Sequence, residues 1–328
     1  VIALLSPWAF LIGLSTPVLA DAPGLLSVRD FAAEDGLAPG LVTQIRLDSR
    51  GFLWFCTTGG LSRFDGTEFT TYDHTDGLGE GTVYDILERA DRSGYWVATQ
   101  SGLFELKLDA VAPQGHLFAA IALPLQGAVR SLLRDSQSRL WIGMANGVCL
   151  LDAAAHSAER SAAQVTLPVS TGPVYAIAEH PDRSIWVGTH WQGLFRIAAD
   201  LESTKHYPAT LEGASFVRDL VVGPDGRLWG SYLGGVARFH EKPESQPDPI
   251  ERRFKLEDGM RSIDTLRLLV AKTGEILVSG AGGVVRLARD AAGEWGVRGA
   301  WTMQDGLPTE ATTALAFDPA ENLWIGTA

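Results

Sequence analysis

Apolar and polar residues alternate in short runs along almost the whole chain, and each run stops at Gly, Asp, Ser or Asn. The clearest stretch reads Val42 to Asp48, the turn Ser49-Arg50-Gly51, then Phe52 to Thr58, Gly60 to Asp65, Gly66-Thr67 and Glu68 to Asp73. Short runs rich in β-branched and aromatic residues, bounded by such turn formers, predict antiparallel strands joined by tight hairpins. Beyond the N-terminus no window keeps apolar residues at helical spacing for three turns, which predicts an all-β chain.

The four-run unit recurs around one anchor position. Trp54, Trp96, Trp141, Trp186, Trp229, Leu277 in place of Trp, and Trp324 follow one another at intervals of 42, 45, 45, 43, 48 and 47 residues. That is the period of a four-stranded propeller blade. The expected fold is a seven-bladed β-propeller of four-stranded antiparallel blades over 21–328. Leu26 to Phe31, followed by Asp35-Gly36-Leu37, matches the last strand and exit loop of a blade, so this N-terminal strand is expected to close the last blade. That blade is expected to be incomplete at the C-terminal end, because the sequence stops at Ala328 after the first two strands of its last unit. On this reading the natural protein continues past Ala328.

Residues 1–20 are an uncharged apolar stretch ending Val18-Leu19-Ala20, with small residues where a signal peptidase reads, so they are expected to be a signal peptide whose start is truncated. An uncleaved anchor is the competing reading, with Pro7 and Pro17 against it. Cys56 and Cys149 fall two units apart, which excludes a disulfide and predicts two buried thiols.

Composition narrows the partners. A formal charge of −12, with Lys and Arg scattered, argues against nucleic acid and against an anionic membrane surface. Phosphate-loop, H-E-x-x-H, C-x-x-C, G-x-S-x-G and EF-hand patterns are absent, so no metal or cofactor is expected.

The repeat as written, D-x-x-G-x-x-W-[IVF]-[GAC]-T and then G-[LV]-x-x-[FL], resembles the two-component regulator propeller repeat. Asp35-Gly36-Leu37, Asp76-Gly77-Leu78, Asp258-Gly259-Met260 and Asp305-Gly306-Leu307 carry the matching linker phrase. The third to fifth units lack it, and the sixth has Leu277 for Trp. The resemblance covers Leu26 to Ala328 and implies the periplasmic sensor region of a hybrid histidine kinase or sensor diguanylate cyclase, tethered to the membrane only by a segment missing here. No kinase or cyclase motif lies in this chain, so it is not expected to be an enzyme itself.

A ligand is expected at the axial mouth, where the innermost strands begin. Eleven residues before each anchor stand Thr43, Arg130, Tyr175, Arg218, Leu266 and Thr313, with Tyr84 equivalent in the second unit. Two Arg and two Tyr converging on one opening suit a sugar or organic acid, through bidentate hydrogen bonds and ring stacking. Turns on the same face add Gln100, Asn146, His190, Trp191, Gln192 and Tyr232, of which Trp191 is not an anchor and so is not explained by packing between blades. Arg130 and Arg218 have a structural alternative, pairing with Asp85 or Asp219. Two further functions stay open. One is an exported lyase or glycoside-acting enzyme with His190 as general base and Glu80 or Glu310 as its acid partner. The other is a protein-binding platform, and a second copy of the chain is also a candidate partner.

Overall fold

The structure, a computed structural model, describes residues 2–5, 26–107, 117–151, 162–165, 171–210 and 215–328, with backbone alone described at 2–5 and 162–165. Strands dominate, and the helical pieces among the described residues are single 3-10 turns of three residues. Six blades are built from consecutive strands, within 42–72, 83–121, 129–165, 174–207, 219–254 and 265–301. Each is a four-stranded antiparallel sheet in chain order, as hairpins with Gly- and Asp-rich turns require.

Here the sequence reading is corrected. Six blades are found, not the seven expected, and the remaining sheet is not a blade closed by a single N-terminal strand and left incomplete at the C-terminus. It is a four-stranded composite of both chain ends, in the order Val28–Phe31, Ile2–Leu5, Leu323–Thr327, Thr312–Phe317. Ile2–Leu5 pairs antiparallel with Phe31 to Val28 on one side and with Gly326 to Leu323 on the other. Two N-terminal strands therefore close the ring rather than one. The physical reason is backbone satisfaction: without a strand between them, Leu323–Thr327 and Val28–Phe31 would face each other as unpaired edges. Ile2–Leu5 falls inside the segment read as a leader, so cleavage after Ala20 would remove this strand.

The anchors do what large flat side chains do between sheets. Trp54 packs with Ile86 and Val97 of the second blade and Leu78 of the loop leading into it, Trp141 with Ile177 and Val187 of the fourth, and Trp186 with Leu220 of the fifth and Val217 just before it. Trp324 joins Val42, Ile45 and Phe55 of the first blade, which closes the circle. Each such Trp buries roughly 200 Å² of largely apolar surface, worth about 5 kcal/mol before the entropy of ordering is subtracted. The indole N–H is also used. It donates to a turn carboxylate in Trp54 to Asp48 (3.0 Å), Trp141 to Asp135 (2.9 Å) and Trp324 to Asp318 (3.2 Å). These turn acids are latches between the hairpin and its anchor.

The Asp-Gly-Leu phrase has an equally local cause. Asp35 and Asp76 accept the backbone N–H of Ala32 and Asp73, three residues back, at 2.8 and 3.0 Å. Gly36 and Gly77 then take the left-handed conformation at φ 96° and 90°, which a side chain would disfavour. Leu37 and Leu78 drop into the core at 5% and 3% exposure. Cys56 and Cys149 are both free and buried.

Candidate functional site

A backbone irregularity shapes the mouth. Where the inner strands of the first four blades and of the composite sheet pair with their second strands, the register slips by one residue, at Thr43, Tyr84, Arg130, Tyr175 and Thr313. A β-bulge releases one residue from the ladder and re-aims its side chain. The ring predicted from spacing is therefore a ring of bulges. In the fifth blade Arg218 precedes the inner strand Asp219–Val222, and its N–H bonds the Ser231 carbonyl at 2.9 Å. The sixth blade slips between Thr265 and Leu268, around Leu266 and Arg267.

Three of these residues form a sandwich. The Arg130 guanidinium lies over the Tyr84 ring at 4.6 Å and over the Tyr175 ring at 5.1 Å. Its buried Nε has no hydrogen-bond acceptor. Asp85 does not pair with it: that carboxylate is taken by Arg46, at 3.0 and 3.1 Å. Arg218 reaches Asp264 through Nη2 at 3.2 Å, not Asp219, and its buried Nε also lacks an acceptor. A guanidinium held between two ring faces keeps its edge donors free for an acceptor brought by a ligand.

His190 links the sandwich to an aromatic shelf. Its Nδ1 lies 3.3 Å from the Tyr175 hydroxyl. Its ring stacks on Trp191 at 3.9 Å and meets Phe216 edge-on at 4.2 Å. Burial first, then the positive charges of Arg218 and Arg130, hold His190 below its ordinary pKa, so it is neutral near pH 7. Trp191 is 57% exposed. Phe216 sits at φ 51°, a conformation costly for a bulky side chain, and its N–H bonds the His190 carbonyl at 3.2 Å.

The structure thus gathers Tyr84, Arg130, Tyr175, His190, Trp191 and Arg218 into one arc. Asn146 stands exposed at the tip of its turn. Tyr232 does not belong to the site. It is 2% exposed, packed among Trp186, Val217, Leu220 and Phe239, because the strand Leu228–Tyr232 continues to the turn and directs this ring into the core. Phe216 and Asp264 were missed. Nothing in the spacing marks them, since both lie in the loops that lead into the fifth and sixth blades. Neither Glu80 nor Glu310 is among the groups that bond to or stack on His190, and Glu310 lies 3.7 Å from Arg261 instead. His180 is 6% exposed and occupies the place of the latch acid six residues before Trp186. Among the described residues, no group of three or more His, Cys, Asp or Glu is placed to hold a metal ion.

The fold is shared with solved structures of several kinds. The chain is similar to the extracellular domain of a protein assigned as a hybrid two-component system in B. thetaiotaomicron, with TM-score 0.72 and 21% identity over 91% of this chain. It spans 40% of that structure's length. It is also similar to virginiamycin B lyase from Staphylococcus aureus, with TM-score 0.65 and 13% identity over 88% of this chain and 95% of the lyase. A third likeness is to PorZ, a surface component of the type-IX secretion system of Porphyromonas gingivalis, with TM-score 0.66 and 15% identity over 95% of this chain and 48% of PorZ. No protein-family model matches the sequence, and comparison with curated proteins found no match. At these identities the likeness speaks for the propeller architecture alone.

Proposed function

We propose that this propeller is the ligand-sensing module of an extracytoplasmic signalling protein, and that its axial mouth binds a small anionic or polyhydroxylated molecule, a sugar or an organic acid. The single observation that carries the reading is Arg130, fixed between Tyr84 and Tyr175 with an unmatched buried donor, beside the His190 and Trp191 shelf. A carboxylate would take the guanidinium edge, and a pyranose face would lie on the exposed indole. The architectural likeness to a two-component extracellular domain supports the sensor role by analogy.

A thermal-shift panel of uronic acids, neutral oligosaccharides and small dicarboxylates tests this. A bound ligand at a hundred times its Kd stabilises the fold by about 2.7 kcal/mol. Arg130→Ala with Arg218→Ala is expected to abolish that shift while the unliganded Tm stays close to wild type. A full shift in the double variant would remove the mouth as the site. One observation keeps an enzymatic reading alive: a neutral His190 beside the Tyr175 hydroxyl is a usable proton acceptor. Turnover that vanishes in His190→Ala while binding persists would decide for it.

A further inference from the structure

The opposite end of the axis holds a second compartment. A cavity of about 690 Å³ is lined by the later halves of the inner strands, from Gln44 to Leu47 in the first blade round to Leu315 to Phe317 in the composite sheet. None of Tyr84, Arg130, Tyr175, His190, Trp191 and Arg218 lines it, whereas Arg267 of the sixth-blade bulge does. Its volume falls in the range that takes small organic ligands.

The wall is apolar. Opposite the anchors stand Leu87, Leu133, Ala178, Val221, Leu269 and Ala316. In the first blade that place is held by Arg46, opposite Trp54. Toward the rim Leu47 is 42% exposed, and Val222, Val270 and Phe317 are half-buried. Apolar side chains left open on an axial cavity would gain from an apolar occupant.

At its inner end the cavity carries charge that is uneven in hydrogen-bonding capacity. The carboxylate of Asp85 accepts from Arg46 Nε and Nη2 and from the backbone N–H groups of Ile86 and Leu132, both at 3.0 Å. Asp219 accepts the N–H groups of Leu220 and Leu268, at 3.0 and 2.9 Å. All four carboxylate oxygens are thus engaged, and burial raises the Asp219 pKa against the opposing pull of Arg267 and Arg46. The arginines are not used up. Arg267 gives Nη2 to the Thr43 carbonyl at 3.2 Å, and neither its Nε and Nη1 nor Arg46 Nη1 donates to any described residue. The Arg46 side chain is 43% exposed. The spare capacity at this end is donor capacity.

We propose that this lower cavity is a second binding site, for an amphipathic monocarboxylate whose carboxylate meets Arg46 and Arg267 and whose apolar body lies along Leu87, Leu133, Val221 and Leu269. The site is separable from the proposed ligand contacts at the mouth, because none of Tyr84, Arg130, Tyr175, His190, Trp191 and Arg218 lines the cavity, although Arg267 reaches the Thr43 carbonyl of the bulge ring.

Calorimetric titration of the whole chain with octanoate, acetate and 1-octanol tests it. Octanoate is expected to bind at least tenfold more tightly than either acetate, which lacks the body, or 1-octanol, which lacks the charge. Arg267→Gln is expected to weaken octanoate at least tenfold and leave 1-octanol unchanged. Leu133→Trp, which fills the wall without touching either arginine, is expected to weaken both. Octanoate no tighter than acetate or than 1-octanol overturns the proposal on the wild-type protein alone, whatever the variants do. So does an unchanged octanoate affinity in a folded Arg267→Gln or Leu133→Trp. Arg130→Ala is expected to leave octanoate binding untouched, which separates this site from the mouth.

Discussion

The two arcs of the axial ring are built from the same backbone device and do different work. On one side Thr43 and Thr313 occupy the bulge, and each turns its hydroxyl to the neighbouring blade. Thr43 Oγ1 donates to the Val83 carbonyl at 2.5 Å and Thr313 Oγ1 to the Val42 carbonyl at 2.6 Å. On the other side Tyr84, Arg130 and Tyr175 occupy the same bulge, are too large to turn back, and stack on one another across three blades. A bulge residue small enough to reach the next sheet stitches the ring, and one too large for that faces the opening. The register position thus offers a choice that side-chain size and chemistry settle.

The largest expected effect breaks the frame common to both arcs. Trp324→Ala removes the side chain that joins the composite sheet to the first blade and is expected to cost about 3–5 kcal/mol, read by chemical denaturation. Tyr84→Leu with Tyr175→Leu strips both faces from Arg130. Ligand affinity at the mouth is expected to fall about tenfold or more, with a stability change under about 2 kcal/mol. Thr43→Val and Thr313→Val are the mirror test. Each leaves the mouth open but a buried carbonyl unmet, for a loss of about 1 kcal/mol apiece and an unchanged Kd. If the threonine variants weaken binding and the tyrosine variants do not, the division into arcs is wrong.

Two smaller effects sharpen the picture. His190 is held below its ordinary pKa of 6.5 in the fold, so its neutral form is favoured and acid works against the folded state as the unfolded chain takes up the proton first. An anion bound beside it would raise that pKa. Affinity for an anionic ligand at the mouth is therefore expected to rise severalfold as pH falls below about 6.5, and His190→Gln is expected to flatten the profile. Smallest is the latch of the fourth blade. Trp186 Nε1 is buried without an acceptor, and the place six residues before it is held by His180, whereas Asp48, Asp135 and Asp318 hold it before Trp54, Trp141 and Trp324. His180→Asp is expected to add about 0.5–1 kcal/mol by completing the latch, with Asp182 kept in place because its carboxylate accepts from Ser184 and Arg196.

Much of the architecture was readable because its causes are local. An anchor Trp, the acid a few residues before it and the Gly between them lie within one hairpin, so their spacing carries the strand order, the turn positions and the packing face. The mouth ring was legible for a related reason: it keeps a constant distance from the anchor. Tyr232 shows where this reasoning stops, since a turn residue and the last residue of a strand look alike in sequence but face opposite ways. Phe216 and Asp264 show the same limit in loops whose length varies between blades. The fate of Asp85 and Asp219 was also hidden, because Arg46 and Arg267 come from neighbouring blades and face these carboxylates only once the blades pack side by side.

The sequence by itself determined that this chain makes repeated four-stranded sheets, each locked by its own anchor and its own turn, and that bulky polar residues recur at one fixed offset. Only the tertiary structure decided that six blades are consecutive, that a second N-terminal strand, Ile2–Leu5, completes the sheet shared by both ends, and which ring residues stitch and which face the opening. It alone brought Arg46, Asp85, Asp219 and Arg267 together beneath an apolar wall. The reason is range: hairpin geometry is settled by neighbours along the chain, whereas closure and the axial cavities are settled by backbone edges and charges that meet only when the circle is complete.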